Sequence, residues 1–258
     1  MTSFSLNEQI KNQFHDQGFI IARELFDADE IGGLARIIES DLQLAGESYG
    51  KLDASGNATK LAVRNELAES PYSAIVRSER VAKTMQSLLR DEVYHYHHKM
   101  MIKEPRIGGA WEWHQDYGYW YKNGCLYPDM ASCLIAINPA NQANGCLQVI
   151  PESHKMGRID HVTVGDQFQT DPVRVNAALE RLPLVYCELQ PGDAIFFHSN
   201  LLHRSDANTS DDPRLSIICC YNTKRNDPIK TDGRHPNYSP LEIWSDEKVS
   251  QILKSGNL

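Results

Sequence analysis

The chain has 258 residues, 41% of them hydrophobic, enough to enclose a sizeable core, and a single domain spanning 1–258 is the default at this length. Its formal charge is −8 with no Lys/Arg-rich stripe interleaved with aromatics, which argues against nucleic acid as a partner. There is no apolar run long enough for a membrane span and no charged-then-apolar leader before Thr2-Ser3-Phe4, so a cytoplasmic protein is expected.

Ser5-Leu6-Asn7-Glu8 reads as a capping box opening a first helix. Phe14-His15-Asp16-Gln17-Gly18-Phe19-Ile20-Ile21 then reads as a helix end, a glycine stop and a strand. Asp27-Ala28-Asp29-Glu30 opens a second helix, whose Leu34, Ile37, Ile38 stripe carries it to about Ala45. Residues 46 to 66, polar and glycine-bearing, look like a loop or lid. Ser78 caps a third helix, Glu79 to Arg90, which makes the part before about residue 90 helical.

From Val93 the pattern changes to that of a strand, with Tyr94, Tyr96 and His98 alternating with His95, His97 and Lys99, and a β core is expected to about residue 225. Successive strand residues face opposite ways, so one of the three histidines is expected to line a pocket and the others to be structural, rather than all three binding a second metal. Asp160 to Leu182 reads as a loop plus a short helix begun by Asp171-Pro172. Ser239-Pro240-Leu241-Glu242 starts a final helix over about 239–255. Cys125, Cys133, Cys146, Cys187, Cys219 and Cys220 form no C-x-x-C pair and read as reduced, buried thiols.

The chemistry is concentrated in Trp113-His114-Gln115-Asp116 and in His203, at the end of Phe196-Phe197-His198-Ser199-Asn200-Leu201-Leu202-His203. Residues i and i+2 of an extended segment share a side, so His114 and Asp116 can grip one ion together. Two imidazoles and one carboxylate hold a ferrous ion on one face and leave the other open to oxygen and a co-substrate. Pro191-Gly192 feeds the strand that leads to His203, and Asn208-Thr209-Ser210-Asp211-Asp212-Pro213 is a second turn signal. If the flanking strands form an antiparallel hairpin about positions 208 and 209, His203 lies opposite Arg214 and the rival ligand His198 opposite Cys219. A guanidinium beside the metal suits a dicarboxylate such as 2-oxoglutarate, whose 5-carboxylate asks for a planar, bidentate donor. Ser205 is preferred over Ser216 for a hydroxyl contact to that carboxylate, and His198 reads as a packed histidine.

His114-Gln115-Asp116, the run from Asn144-Gly145-Cys146-Leu147-Gln148 to Pro151-Glu152-Ser153-His154-Lys155, and Phe196-Phe197-His198 through His203-x-Ser205 with Arg214 resemble the phytanoyl-CoA dioxygenase family of iron(II) and 2-oxoglutarate oxygenases, from about Phe14 to about Asn222. The resemblance implies a mainly β protein with flanking helices, a double-stranded β-helix of the jelly-roll, cupin-like kind. It implies Fe(2+) on His114, Asp116 and His203, the 2-oxoglutarate 5-carboxylate on Arg214, and an upstream lysine at the co-substrate, for which Lys60 is the candidate. Family halogenases lack the metal carboxylate, so an intact Asp116 favours hydroxylation of an unactivated carbon of a small molecule, or a related oxidation, with dioxygen consumed and succinate and carbon dioxide released.

Tyr117, Tyr119 and Trp120, with Gln115, are candidates for the substrate pocket, the aromatics offering a cation-π seat to a cationic group. The acidic charge weighs against a coenzyme A thioester, whose phosphates want a basic rim. Two other classes compete with an oxygenase. A non-oxidative, isomerase-like metal enzyme would not need Arg214, and a non-catalytic binding protein of the same fold would not need all three ligands.

Overall fold

The computed structural model describes residues 4–164, 166–230 and 236–256; Thr2 and Ser3, on which part of the leader reading rests, lie outside them. The first helix, α1 (Glu8–Gln17), is capped by Asn7, whose side chain accepts from the Ile10 amide. Gly18 ends it at φ 84°, where an added Cβ would also strike the His154 ring. β1 (Phe19–Ala22) follows, then α2 (Ala28–Ser40), opened by the capping box of Asp27 and Glu30. α2 stops short of Ala45 because Asp41 is extended and caps a separate short helix, α3 (Leu42–Glu47).

Residues 46 to 66 are not a lid. They form a hairpin, β2 (Tyr49–Leu52) and β3 (Ala58–Arg64), whose turn is held by the Asp53 carboxylate accepting from the Ser55 and Asn57 amides. The polar turn residues gave the stretch its loop-like composition, and its outer strand is mostly exposed. α4 (Pro71–Arg77), capped by Ser70, precedes α5 (Glu79–Leu89), which Arg90 ends. The chain continues through β4 (Val93–Lys103), β5 (Trp111–His114), α6 (Asp116–Trp120), β6 (Met130–Ala136) and β7 (Leu147–Val149). The expected loop after Asp160 contains a hairpin, β8 (His161–Val164) and β9 (Gln167–Thr170), before α7 (Pro172–Leu179) begins at the cap Asp171. β10 (Val185–Cys187), β11 (Ala194–His198), β12 (His203–Ser205) and β13 (Arg214–Thr223) complete the strands. The last helix, α8 (Asp246–Ser255), is capped by Ser245, later than the Ser239 expected. The segment before it stays extended and Trp244 bridges to Ser78. Among the described residues no helix is long and apolar enough to cross a membrane.

The strands form the expected double-stranded β-helix. A seven-stranded sheet has the order β1-β11-β6-β13-β4-β3-β2, and a four-stranded sheet the order β10-β7-β12-β5. The large sheet is covered on one face by helices, through Phe14, Leu34, Ile75, Met85 and Leu253 among others. Its other face packs against the small sheet through residues such as Leu134, Leu147, Val149 and Phe197. Burial on both faces explains why β6 is apolar except for Ser132, all seven residues being buried.

The hairpin expected between β12 and β13 does not form. β12 pairs with β5 and β7 in the small sheet, while β13 pairs with β4 and β6 in the large one. Arg214 is therefore opposite Lys103 rather than His203, and Cys219 is opposite Cys133 and His98 rather than His198. Residues 206–213 cross between sheets instead of turning back. The Asn208 side chain donates to the Lys103 and Asp212 carbonyls, and the Asn208 amide donates to Gly108, which ties the crossing to the end of β4.

Candidate metal centre and substrate cavity

His114 is the last residue of β5 and His203 the first of β12, and the two are register partners. Directly paired residues of neighbouring strands point to one face, and their ring centroids are 4.0 Å apart. Gln115 is extended, at φ −115° and ψ 131°, so Asp116, the first residue of α6, falls on the side of His114. Asp116 Oδ1 lies 3.8 Å from His114 Nε2 and 3.9 Å from His203 Nε2, and the three ligand atoms are all within 4.8 Å of one another.

Hydrogen bonds behind the rings fix their orientation. His114 Nδ1 donates to the Glu112 carbonyl at 2.7 Å and His203 Nδ1 to the Leu201 carbonyl at 2.8 Å, which leaves both Nε2 lone pairs facing the cleft. Ser132 Oγ donates to Asp116 Oδ2 at 2.8 Å. Burial pushes both imidazoles below their ordinary pKa, His114 well below it. Burial works against the Asp116 carboxylate, but the Lys99 ammonium and the Ser132 hydroxyl help hold it below the usual range. Two neutral imidazoles and an ionised carboxylate are the protonation states a metal ligand set requires.

Arg214 and Ser205 line the same inner cleft as the three ligands. Arg214 reaches it across the sandwich, from the large sheet. It is only 4% exposed, its Nη1 donates to the Gly145 carbonyl at 2.7 Å, and its Nε has no partner. Burial lowers the guanidinium pKa to about 10, and among the described residues no carboxylate pairs with it. Gly145, at φ 76°, permits this packing, since a Cβ there would sit 2.2 Å from the Asp206 carbonyl oxygen. Lys103 is fully buried beside Arg214, with its ammonium on the Ser205 and Asp206 carbonyls, and burial together with Arg214 pushes its pKa well down.

Lys60 lies elsewhere. Its ammonium pairs with Glu104 at 2.8 Å, and both groups are exposed. The neighbouring β3 residues Leu61 and Val63 face the cavity, so period-two alternation turns Lys60 to the opposite face. The cations that the sequence reading missed are Lys99 and Lys103. The signal was available in the alternation of His97, Lys99, Met101 and Lys103 along β4.

Tyr119, Trp120 and His97 line an outer cavity of about 430 Å³ that adjoins the metal ligands. Tyr117 does not: it is buried in the core, its hydroxyl donating to the Leu126 carbonyl at 2.6 Å. Gln115 is also outside the pocket. Its amide donates to Gly157 and Asn200 and accepts from Ile159, bracing the loops behind the metal motif. His95 and His98 turn to each other, with 3.0 Å between ring nitrogens, where a bulge at Cys220 and Tyr221 breaks the alternation. His198 packs on His154 and accepts from the Asn200 amide. A larger hollow of about 880 Å³, near Asp41, Arg64 and Tyr72, contains none of the ligand groups.

Two imidazoles and a carboxylate inside a double-stranded β-helix, with a buried unpaired guanidinium in the same cleft, define a mononuclear non-haem iron oxygenase. Residues 14–216 match the family model described as phytanoyl-CoA dioxygenase, and the chain belongs to that family. It is similar to the ectoine dioxygenase of Bordetella parapertussis, 25% identical over 234 residues covering 85% of this chain and 76% of that protein. It is also similar to the L-proline trans-4-hydroxylase of Streptomyces griseoviridis, 29% identical over 188 residues covering 67% of this chain and 68% of that protein. The crystal structure of EctD from S. alaskensis with 2-oxoglutarate and 5-hydroxyectoine has the same fold, with a TM-score of 0.77 at 22% identity, covering 95% of this chain and 90% of that one. The protein is an iron(II)- and 2-oxoglutarate-dependent dioxygenase.

Proposed function

We propose that His114, Asp116 and His203 hold the iron and that Arg214, with Ser205 beside it, receives the 5-carboxylate of 2-oxoglutarate. The small-molecule substrate then occupies the outer cavity under Tyr119 and Trp120 and is hydroxylated at an unactivated carbon. The observation that carries this reading is Arg214: a buried guanidinium with no acidic partner among the described residues, in one cleft with three convergent metal-ligand atoms. When bound, iron(II) and 2-oxoglutarate supply the oxidation, consuming dioxygen and releasing succinate and carbon dioxide.

The residues of the chain contribute placement. Glu112 and Leu201 carbonyls hold the histidine tautomers, and Ser132 holds the Asp116 carboxylate. Arg214 offers a planar fork in surroundings where a charge-assisted hydrogen bond is strong. Trp120 and Phe197, both buried, keep water from the walls of the two cavities. A non-oxidative metal enzyme would leave Arg214 without a counter-ion. Under anaerobic conditions the iron(II)-loaded protein with 2-oxoglutarate is expected to show a weak visible charge-transfer band, and the His114→Ala protein to lack it. A band of unchanged strength in His114→Ala would refute the ligand assignment.

A further inference from the structure

We propose that the substrate of this enzyme is an anion, a compact carboxylic or comparable acid, and that Lys99 is the specificity-determining residue that fixes its acidic group beside the reacting carbon. This rests on the reading of the iron and co-substrate site given above.

Lys99 sits in the middle of β4 and lines both the inner cleft and the outer cavity, so it stands at the junction where a substrate meets the metal. Among the described residues its ammonium makes no hydrogen bond and no ion pair within 4 Å, and its electrostatic neighbour is the Asp116 carboxylate. Among the residues lining either cavity the only acid is Asp116, and its charge is committed to the metal. Iron(II), Asp116, a doubly charged keto acid and Arg214 neutralise one another, which leaves the Lys99 charge over. The other cation of the inner cleft, Arg204, already has a carboxylate, Asp206 at 3.1 Å.

The outer wall carries the same sign. Lys51 donates to the Asp166 carbonyl and Lys122 lies over the Phe168 ring at 4.5 Å; among the described residues neither forms an ion pair with an acid. A cavity with three ammonium groups and no free carboxylate attracts anions and repels cations. Lys122 already lies over one aromatic face of the wall, that of Phe168, so a cationic substrate would meet a like charge there. Much of the remaining wall, including Leu61, Val63, Tyr119 and Trp120, is apolar or aromatic, with Asn65 and Asn123 as neutral polar groups, and about 430 Å³ suits a small cyclic or branched body.

The test uses anaerobic protein loaded with iron(II) and 2-oxoglutarate, titrated by calorimetry with phenylacetate, phenylacetamide and benzyltrimethylammonium, three probes of similar body and different charge. The carboxylate is expected to bind at least about tenfold tighter than the amide, and the ammonium most weakly, the gain expected of one charge-assisted hydrogen bond. Lys99→Met should abolish the preference and Lys99→Arg should retain it, both with 2-oxoglutarate affinity within about twofold of the parent, since neither removes the Arg214 fork. Equal binding of the three probes, failure of all three to bind, or a Lys99→Met protein that loses 2-oxoglutarate instead of the probe would each overturn the proposal. An intact charge-transfer band without charge preference refutes the role of Lys99 alone. A wild-type protein without the band refutes the site reading, and this proposal with it.

Discussion

Replacing Arg214 with methionine should make the ligand-free protein more stable and its co-substrate affinity far lower. In the absence of an anion the guanidinium is 4% exposed, bonded only to the Gly145 carbonyl, with its pKa drawn down to about 10 by burial. A depressed base pKa means that folding penalises the charged form at every pH below that value, here by about 3 kcal/mol. Methionine removes the penalty and loses one hydrogen bond worth about 1 kcal/mol, for a net gain of about 2 kcal/mol and a Tm higher by about 4 to 8 °C. With 2-oxoglutarate the sign reverses. Loss of a buried, bidentate charge pair costs about 3 to 4 kcal/mol, or about 100- to 1000-fold in Kd. Both quantities are measurable on one preparation, by thermal denaturation without ligand and by anaerobic titration of the iron(II) protein through the visible band. 2-Oxopentanoate, which lacks the far carboxylate, closes the cycle: wild type and Arg214→Met should bind it alike. A destabilised variant that binds 2-oxoglutarate normally would refute the reasoning, because Arg214 would then be a structural cation.

Three further outcomes are expected. Ser132→Ala should lower iron affinity by about 10- to 100-fold with little change in fold, through loss of the 2.8 Å bond to Asp116, and metal titration with competing chelator reads this directly. Adding iron(II) and 2-oxoglutarate anaerobically at about 100 times Kd should stabilise the wild type by about 2.7 kcal/mol, or about 5 to 10 °C, and His203→Ala should show none of this shift. His198, pushed by burial down to about 3, remains neutral in the folded chain while the unfolded chain takes up a proton below about pH 6.5. The stability it contributes is therefore complete above that pH and declines by about 1.4 kcal/mol per unit as pH falls toward 3. In denaturant melts between pH 6 and 4, His198→Asn should show a slope shallower by that amount, and equal slopes would contradict the assignment.

The local parts of the fold were legible because their causes are local. Asp27-Ala28-Asp29-Glu30 opens the expected second helix, Gly18 is the expected helix stop, and the alternation after Val93 is the expected strand, whereas the first helix is capped by Asn7 and not by the expected box at Ser5. The hairpin β2–β3 was missed because its strands are short and its composition is dominated by the Asp53 turn and an exposed edge. The separate start of α8 at Ser245 was hidden by Ser239-Pro240, an equally plausible cap whose segment the fold keeps extended against Ser78.

At the site, the His114-x-Asp116 geometry depends on one extended residue between them, so adjacent sequence determined it. The company that this pair keeps was settled by sheet assignment. Arg214 shares the cleft with His203 although the strand pairing that suggested it is absent, because two sheets packed face to face bring their inner residues together as effectively as neighbouring strands do. Lys60 was lost and Lys99 gained for the related reason that a lysine's distance in sequence from a metal motif does not tell which face of its strand it occupies. By itself, then, the sequence determined several helix ends, the strand periods and the ligand types, each set within a few residues. Only the tertiary structure decided which strands became neighbours and which cations faced the iron site, since these follow from the burial of two whole sheets against each other.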